Sequence, residues 1–244
     1  MLSLLFAALL FTTNALADPP TPGVLLSDVD RNMTFDTRAA ELEMTVTRGR
    51  RVKTYEMESF GRGGDEAAIE FHGPARDKGT KMLKRGGELW MYMPTIEKTR
   101  KISGHMLRQG MMGSDLSYED ILQSTHLVDL YDATVLGEET VAGRPCWKLE
   151  LTARGADIAY PRRISWVDKE HHIPVQEELF AVSGMMVKRW TLSEVKDFNG
   201  RKFPTRWTVE DQLRAGSTTV LVFEEMSFSV PLEDEIFSPR WLQR

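Results

Sequence analysis

The sequence predicts a mainly β fold, an antiparallel meander that curls into a barrel or into part of one. The first observation is alternation: Leu42, Met44 and Val46 alternate with polar residues, as they would in a half-buried strand. The second is that turn signals separate such runs at fairly even intervals. The sharpest of these is Asn199-Gly200, because a two-residue type I′ hairpin needs positive φ at both central positions. Short strands at such spacing are typical of antiparallel barrels and sandwiches.

Two helices accompany the predicted strands. Thr21-Pro22 suits an N-cap followed by the first helical position, and the apolar residues after it fall on one face at 3.6-residue spacing. These residues are Leu25, Leu26, Val29 and Met33. A short helix is predicted near residues 117–123, where Ser117 and Asp120 resemble a capping pair. Strands beyond it are predicted near residues 131–136, 147–151, 164–167, 175–182, 186–195, 203–209 and 218–228.

The chain begins with an apolar run that is typical of a secretory signal. Residues 1–17 end in small residues at Ala15 and Ala17, which is an A-x-A cleavage pattern. The run is shorter than the roughly 20 residues that span a bilayer, and Asp18 follows it directly. We therefore expect cleavage after Ala17 and export of a soluble domain, residues 18–244. A retained membrane anchor is the less favoured alternative.

Composition argues against several functions. The net charge of −5 argues against nucleic acid as a partner. Cys146 is the only cysteine, so no internal disulfide is possible, and its strand-like surroundings favour a buried thiol over a nucleophile. The five histidines lack metal-ligand spacing, and the sequence contains no nucleophile elbow and no phosphate loop. We therefore predict a protein that is not an enzyme and uses no cofactor or metal.

The most unusual stretch is residues 88–120. It begins with a strand near residues 88–93 whose two alternating faces are both apolar, so we expect this strand to be covered on both sides. A basic run and then a methionine-rich, glycine-punctuated segment, residues 104–113, follow it. Methionine suits surfaces that repack around variable apolar ligands, whereas a static core would use branched residues. We interpret residues 104–113, called the flap below, as a movable apolar lid beside a cavity. A well-filled core is the alternative.

Two motifs in this stretch resemble the LolA-like, outer-membrane lipoprotein-sorting proteins. They are the strand 89–94 with the basic run after it, and residues 113–120. The resemblance implies an unclosed antiparallel half-barrel with helices capping its concave, apolar face. It implies one LolA-like lipid-binding domain in the periplasm that carries or senses acylated ligands, often with an inner-membrane transporter of the RND type. The carrier's cavity arginine, which ties the lid in its closed state, has no clear counterpart; Arg100 and Arg108 are candidates by proximity.

The predicted site is a lipid-binding cavity between the strands and the flap. Its expected walls are Met44, Val46, Tyr55, Met57, Ile69, Phe71, Trp90, Tyr92, Leu149, Leu151, Trp166, Trp190 and Leu192, and its expected lid is Met106, Leu107, Met111 and Met112. A one-residue slip in any strand would invert the face that it presents. Lys98, Arg100 and Lys101 are expected at the rim, where they would contact a lipid head group or an acidic patch on a transporter. Plain solvated charge is the alternative for them.

The functional hypothesis is a periplasmic carrier that binds the acyl chains of lipoproteins or lipids and transfers them toward the outer membrane. It would touch membranes transiently and work with an RND-type transporter. The alternative is a sensor or adaptor of the same fold, which binds lipid or a protein partner and passes on a conformational change. A hydrolase of lipid-like substrates is a third and weaker hypothesis, because no nucleophile is apparent.

Overall fold

One antiparallel sheet of 13 strands organises the residues that the computed structural model describes, 20–122 and 126–244. The strands are β1 (Thr37–Arg48), β2 (Arg51–Arg62), β3 (Glu66–Gly73), β4 (Lys81–Arg85), β5 (Glu88–Met93), β6 (Lys98–Ile102), β7 (Tyr131–Val141), β8 (Arg144–Ala153), β9 (Arg162–Asp168), β10 (Pro174–Phe180), β11 (Met186–Phe198), β12 (Arg201–Asp211) and β13 (Ser217–Phe228). Their spatial order is β6-β5-β4-β3-β2-β1-β13-β12-β11-β10-β9-β8-β7. Within the described residues the edge strands β6 and β7 do not pair with each other. The sheet is therefore an unclosed half-barrel, as predicted.

Alternating burial fixes which side of each strand faces the concave interior. In β1 the residues at every second position from Ala40 to Val46 are buried, and their neighbours are more exposed. The first and last strands, β1 and β13, pair along most of their length and so join two meanders into one sheet. The hairpin between β11 and β12 turns at Asn199 and Gly200 with φ values of 56° and 88°, which confirms the predicted turn.

In the described residues three helices lie against the sheet: α1 (Pro22–Met33), α2 (Tyr118–Leu122) and α3 (Leu127–Leu130). Helix α1 begins after Thr21, as predicted, and buries Leu25, Leu26 and Val29. Short 3₁₀ helices occur at Pro94–Ile96, Gly104–Arg108, Met111–Gly113, Asp234–Phe237 and Trp241–Gln243. The connection from β6 to β7 joins the two edges of the sheet, so it crosses the concave face and brings the flap, α2 and α3 over it.

Two strands were not anticipated from the sequence. β4 is short and contains three basic residues, and the basic run after Pro94 is itself the edge strand β6. Charged side chains on an edge strand oppose pairing with other chains, which gives the basic run a structural explanation.

The predicted signal, residues 1–17, lies outside the described residues. Within the part of the chain that the structure covers, no helix has the length and apolar character needed to cross a membrane.

Candidate functional site

A cavity of about 290 Å³ lies between the concave face of the sheet and the segments that cover it. Residues from α1, β1, β2 and β3 line one part, and residues from β9 to β13 line another. Met111 of the flap, Leu116 and Ile121 contribute from the covering side. Most of the lining is apolar, and the volume is close to the lower end of the range for ligand pockets, roughly 300–1,000 Å³.

The structure places five of the predicted site residues around this cavity. Met57, Ile69, Trp190 and Leu192 lie in its wall, and Met111 lies in its cover. They come from β2, β3, β11 and the flap, which are far apart in the sequence and are brought together by the curvature of the sheet.

A second group of predicted residues faces the concave side but fills it instead of lining open space. Met44, Val46, Tyr55 and Phe71 are buried in the core cluster that extends from the cavity beneath the flap. The Tyr55 hydroxyl donates a hydrogen bond to the carbonyl oxygen of Met112 at 2.7 Å. These side chains therefore support the flap from below.

Leu149 and Leu151 are fully buried for a different reason. Both pack beneath α1, in a cluster with Leu25, Leu26 and Val29 of that helix. Helix α1 thus covers this part of the concave face, and neither leucine lines the cavity.

Three of the predicted wall residues were assigned to the wrong face. In β5, Leu89 and Met91 point to the concave core, so Trp90 and Tyr92 lie on the opposite face beneath the C-terminal segment. Trp166 of β9 also lies on the convex side, in the cluster that contains Cys146.

In β5 both faces are apolar and covered, so alternation could not choose between the two phases. In β9 the more polar face, with Arg163, is the one that faces the cavity, and Ile164 and Trp166 are buried on the convex side. The expectation that β5 is covered on both sides is confirmed. Cys146 is buried as predicted, and burial raises the pKa of its thiol.

The remaining lid residues pack against the core, whereas the three basic residues predicted at the rim lie on an edge strand. Met106, Leu107 and Met112 contact the main core cluster from outside. Lys98, Arg100 and Lys101 are exposed on the edge strand β6, and none of them lines the cavity. Lys101 forms an ion pair with Glu88 on β5. The rim position expected for these three residues is therefore wrong for the cavity that the structure describes.

The flap ends in a tight turn that requires glycine. A Cβ atom on Gly110 would lie 2.1 Å from the carbonyl oxygen of Ser114, far inside van der Waals contact. The turn is closed by hydrogen bonds from Met111 N–H to the Leu116 carbonyl at 2.7 Å and from Ser114 N–H to the Met111 carbonyl at 2.8 Å. Gly110 therefore permits close backbone approach at this point.

The segment after the flap, residues 114–120, is fixed by two buried carboxylates. Asp115 accepts hydrogen bonds from the hydroxyls of Ser217 and Thr219 on β13, and its own N–H donates to Thr219 Oγ1 at 2.9 Å. Because Asp115 is only 3% exposed, these bonds tie the segment to the centre of the sheet.

Asp120 is the second anchor. It forms a buried ion pair with Lys188 of β11 and accepts a hydrogen bond from the Tyr160 hydroxyl at 2.6 Å. It also accepts the Ser117 N–H at 2.7 Å, while its own N–H donates to Ser117 Oγ at 3.3 Å. The predicted capping pair is thus confirmed, and burial together with the Asp120 charge raises the pKa of Tyr160.

Two charged groups in the cavity wall face each other. Arg163 of β9 donates from Nε to the Tyr131 hydroxyl at 2.9 Å, and its guanidinium lies 5.0 Å from the Tyr131 ring centroid. Burial raises the pKa of the Glu177 carboxyl on the neighbouring strand β10. The positive charge of Arg163 acts in the opposite direction but has the smaller effect. Asp30 of α1, a third charged residue in the lining, is occupied in accepting the N–H groups of α3 at Leu127 and Val128, at 2.9 and 2.8 Å.

Arg38 of β1 has no comparable partner. Its side chain lies over Gly61 on the paired strand β2, and Nη2 makes one long hydrogen bond of 3.4 Å to Ser59 Oγ. Its Nε is buried and has no hydrogen-bond partner among the described residues. Burial lowers the pKa of this guanidinium. The indole N–H of Trp190, also in the cavity wall, is likewise buried and unpaired within the described chain.

Sequence reasoning missed the charged residues of the wall because it assigned only apolar residues to the wall and sought a cavity arginine near the flap, at Arg100 or Arg108. Neither of these two lines the cavity. A signal for Arg38 exists: it falls in phase with Ala40, Leu42 and Met44, so the apolar face of β1 begins with a cation. Among the residues that the structure describes, no group of three or more side chains is arranged to hold a metal ion.

Comparison with known proteins assigns the chain to a family. A family model with the description "-like: Uncharacterized protein" matches residues 63–244. The crystal structure of a DUF1329 family protein from Desulfovibrio piger is 30% identical in sequence, and the match covers 91% of this chain and 98% of that one, with a TM-score of 0.85. The chain belongs to the DUF1329 family. Comparison with curated proteins gives no significant match.

More distant structures show that this DUF1329 protein has the LolA-like fold. A putative outer membrane lipoprotein-sorting protein domain from Vibrio parahaemolyticus is 22% identical in sequence. The match covers 90% of this chain and 95% of that one, with a TM-score of 0.79. A LolA superfamily protein from Nitrosomonas europaea is 23% identical in sequence. The match covers 91% of this chain and 100% of that one, with a TM-score of 0.77. The resemblance drawn from the two sequence motifs is therefore confirmed at the level of fold.

Proposed function

We propose that this protein binds acyl chains of lipids or lipoproteins in its cavity and carries them through the periplasm toward the outer membrane. The observation that carries the proposal is the largely apolar cavity between the concave sheet and the flap. Residues 18–244 would act as one lipid-binding domain, which is supported by the pairing of β1 with β13. Apart from carboxylates, arginines, one serine and one threonine, the described lining consists of apolar and aromatic side chains, which suits binding of an alkyl chain.

The energetic need for such a carrier follows from the hydrophobic effect. Moving an alkyl chain from a membrane into water costs about 0.8 kcal/mol per CH₂ group, so a chain of about twelve carbons costs roughly 10 kcal/mol. A protein cavity that offers comparable burial removes most of that cost. Loading and release then both stay near equilibrium, as a carrier requires.

The cavity volume limits how much ligand fits. Since a cavity of about 150 Å³ accepts benzene with its six carbon atoms, 290 Å³ would hold a single chain of about 12 carbon atoms. In this conformation the cavity therefore suits one acyl chain, and a multiply acylated lipoprotein would need a wider one.

The proposal also includes a location and a partner. The apolar leader, residues 1–17, supports export to the periplasm. An inner-membrane transporter of the RND type is the proposed donor or acceptor, with transient membrane contact during transfer. The exposed side chains of Lys98, Arg100 and Lys101 on β6 are suited to an acidic patch on that transporter.

A matched pair of variants tests the binding step. Met111→Asp places a carboxylate in the cavity, where its charge has no described partner, and we expect at least a tenfold loss of affinity for a fluorescent fatty acid ester. Met185→Asp introduces the same charge at a residue that is 54% exposed, and it should bind as the wild type does. Circular dichroism would show that both variants fold. Equal binding by Met111→Asp and the wild type would refute the role of the cavity.

The transfer step needs a separate measurement. Labelled lipid loaded from inner-membrane vesicles should reappear in outer-membrane vesicles when the protein is added. Binding without such transfer would favour the sensor or adaptor over the carrier.

A further inference from the structure

Arg38 is a cation that the described protein leaves without a counter-charge inside the cavity wall. Its one side-chain hydrogen bond, to Ser59, is long at 3.4 Å, and its nearest described aromatic contact is the Phe223 ring, whose centroid is 5.9 Å away. The buried Nε is unpaired. Buried donors that lack an acceptor are costly and uncommon in native structures, so the position indicates that the acceptor comes with the ligand.

The other charges of the wall are already engaged. Arg163 faces Glu177 and holds the Tyr131 hydroxyl, Asp30 caps α3, and Asp120 pairs with Lys188. Arg38 is therefore the cation available for an incoming anion in the described lining.

A second unpaired group points to a ligand of the same kind. Trp190 Nε1 is buried and without a partner in the described chain, and this residue lines the cavity from β11. Indole N–H and guanidinium N–H are donors only. A pure hydrocarbon would satisfy neither of them, whereas a ligand with oxygen acceptors would.

We propose that the ligand is a single-chain amphiphile with an anionic oxygen head group, a carboxylate or a phosphate monoester, and that Arg38 receives this group. The inference rests on the proposed function and adds the ligand's chemical class. The fork of N–H groups on a guanidinium matches the two oxygens of a carboxylate or phosphate, and the Ser59 hydroxyl beside Arg38 can donate a further hydrogen bond. The chain of about 12 carbons that fits the volume would occupy the apolar part of the cavity.

Three probes separate the head group from the chain. Dodecanoate, dodecyl phosphate and methyl dodecanoate each contain a straight chain of about twelve carbons, and only the first two carry an anionic head. Binding to the full mature protein would be followed by calorimetry and by the fluorescence of Trp190 and Trp207, which both line the cavity. We expect at least one anion to bind about tenfold or more tightly than the ester. The tighter anion identifies the source of the head group.

Two arginine variants then test the residue. Arg38→Met should weaken binding of the preferred anion by about 10- to 100-fold, as the loss of a charge-assisted hydrogen bond would, while changing ester binding less than about threefold. Arg189→Met is the matched control. Arg189 lies on the opposite face of β11, pairs with Glu178 at 2.8 Å and has a buried, unpaired Nε of its own. Its loss should leave all three affinities unchanged.

The outcomes distinguish this inference from the proposed function. Equal affinity of the wild type for anion and ester would overturn the inference and leave the carrier intact, and this comparison needs no variant to fold. Unchanged anion binding by Arg38→Met would do the same. Failure of the wild type to bind any of the three probes would overturn both.

Discussion

The ion pair between Asp120 and Lys188 offers a direct test of what holds the covering segment on the sheet. Both side chains are buried, at 3% and 10% exposure. Asp120 also accepts hydrogen bonds from the Tyr160 hydroxyl at 2.6 Å and from Ser117 N–H at 2.7 Å, while Lys188 reaches the Ser117 hydroxyl at 3.2 Å. Both oxygens of the Asp120 carboxylate thus accept hydrogen bonds, and the Lys188 ammonium group supplies the counter-charge for its burial.

The expected magnitudes follow from burial. Lys188→Met leaves the Asp120 carboxylate buried without its counter-charge, and Asp120→Asn does the same to the ammonium. Breaking one side of a buried pair typically costs 3–5 kcal/mol, whereas removing both charges together is often close to neutral. We expect each single variant to lose about 3 kcal/mol and the double variant to lose no more than about 3 kcal/mol, which gives a coupling energy near 3 kcal/mol.

The assay is urea unfolding of the wild type, both single variants and the double variant. For a chain of this size a loss of about 3 kcal/mol corresponds to a fall of roughly 6–12 °C in Tm. Lys202→Met is the control: its partner Asp197 lies at 2.8 Å, but both side chains are more than a third exposed, so the loss should stay below about 1 kcal/mol. Additive effects, or a loss below 1 kcal/mol for Lys188→Met, would show that the pair does not hold the segment.

Three further predictions concern the flap and the cavity wall. Gly110→Ala should cost more than about 2 kcal/mol, since its Cβ would lie 2.1 Å from a carbonyl oxygen, and Gly87→Ala, with open space around its Cβ, should cost under about 1 kcal/mol; equal losses in thermal unfolding would contradict the close-approach argument. Asp115→Asn replaces one acceptor by a donor facing the β13 hydroxyls and should cost about 1–3 kcal/mol, measured by urea unfolding; a loss below about 0.5 kcal/mol would argue against this anchor. Burial raises the pKa of Glu177 above its ordinary value of 4.5, so the folded state favours the protonated carboxyl and unfolding free energy falls as pH rises through and above 4.5. Glu177→Gln removes this titration and also the charge that faces Arg163, so its stability relative to the wild type should rise between about pH 4 and about pH 7 in unfolding curves; a difference that does not change with pH would refute this effect.

Much of the architecture follows from residue patterns alone. Helix α1, the β11–β12 hairpin and the capping pair of Ser117 and Asp120 were predictable because each depends on local chemistry. Proline at the first helical position, positive φ at Asn199 and Gly200, and a hydroxyl facing a carboxylate three residues later need no tertiary context.

Strand phase was predictable only where one face is polar. In β1 and β2 the polar face identified the buried one, and Met57 was placed correctly. In β5 both faces are covered, one by the core and the other by the C-terminal segment. The sequence offers no contrast there, so Trp90 and Tyr92 were assigned to the wrong side. The charged wall residues were missed for the opposite reason. A charge is normally solvated, and contacts such as those of Arg163 with Tyr131 and of Asp120 with Lys188 form only in the folded protein.

The flap shows how the same residues can support two physical interpretations. Glycines among methionines indicated mobility, yet Gly110 serves a close backbone contact, and the segment that follows is tied to β13 and β11 by Asp115 and Asp120. Lifting the flap together with this segment would expose two carboxylates and strip them of their partners. Any opening that admits an acyl chain must either break those bonds or leave residues 114–120 in place and move the flap alone. If Asp120→Asn speeds ligand uptake at unchanged affinity, the whole segment moves; if uptake stays the same, the anchored segment is part of the fixed wall.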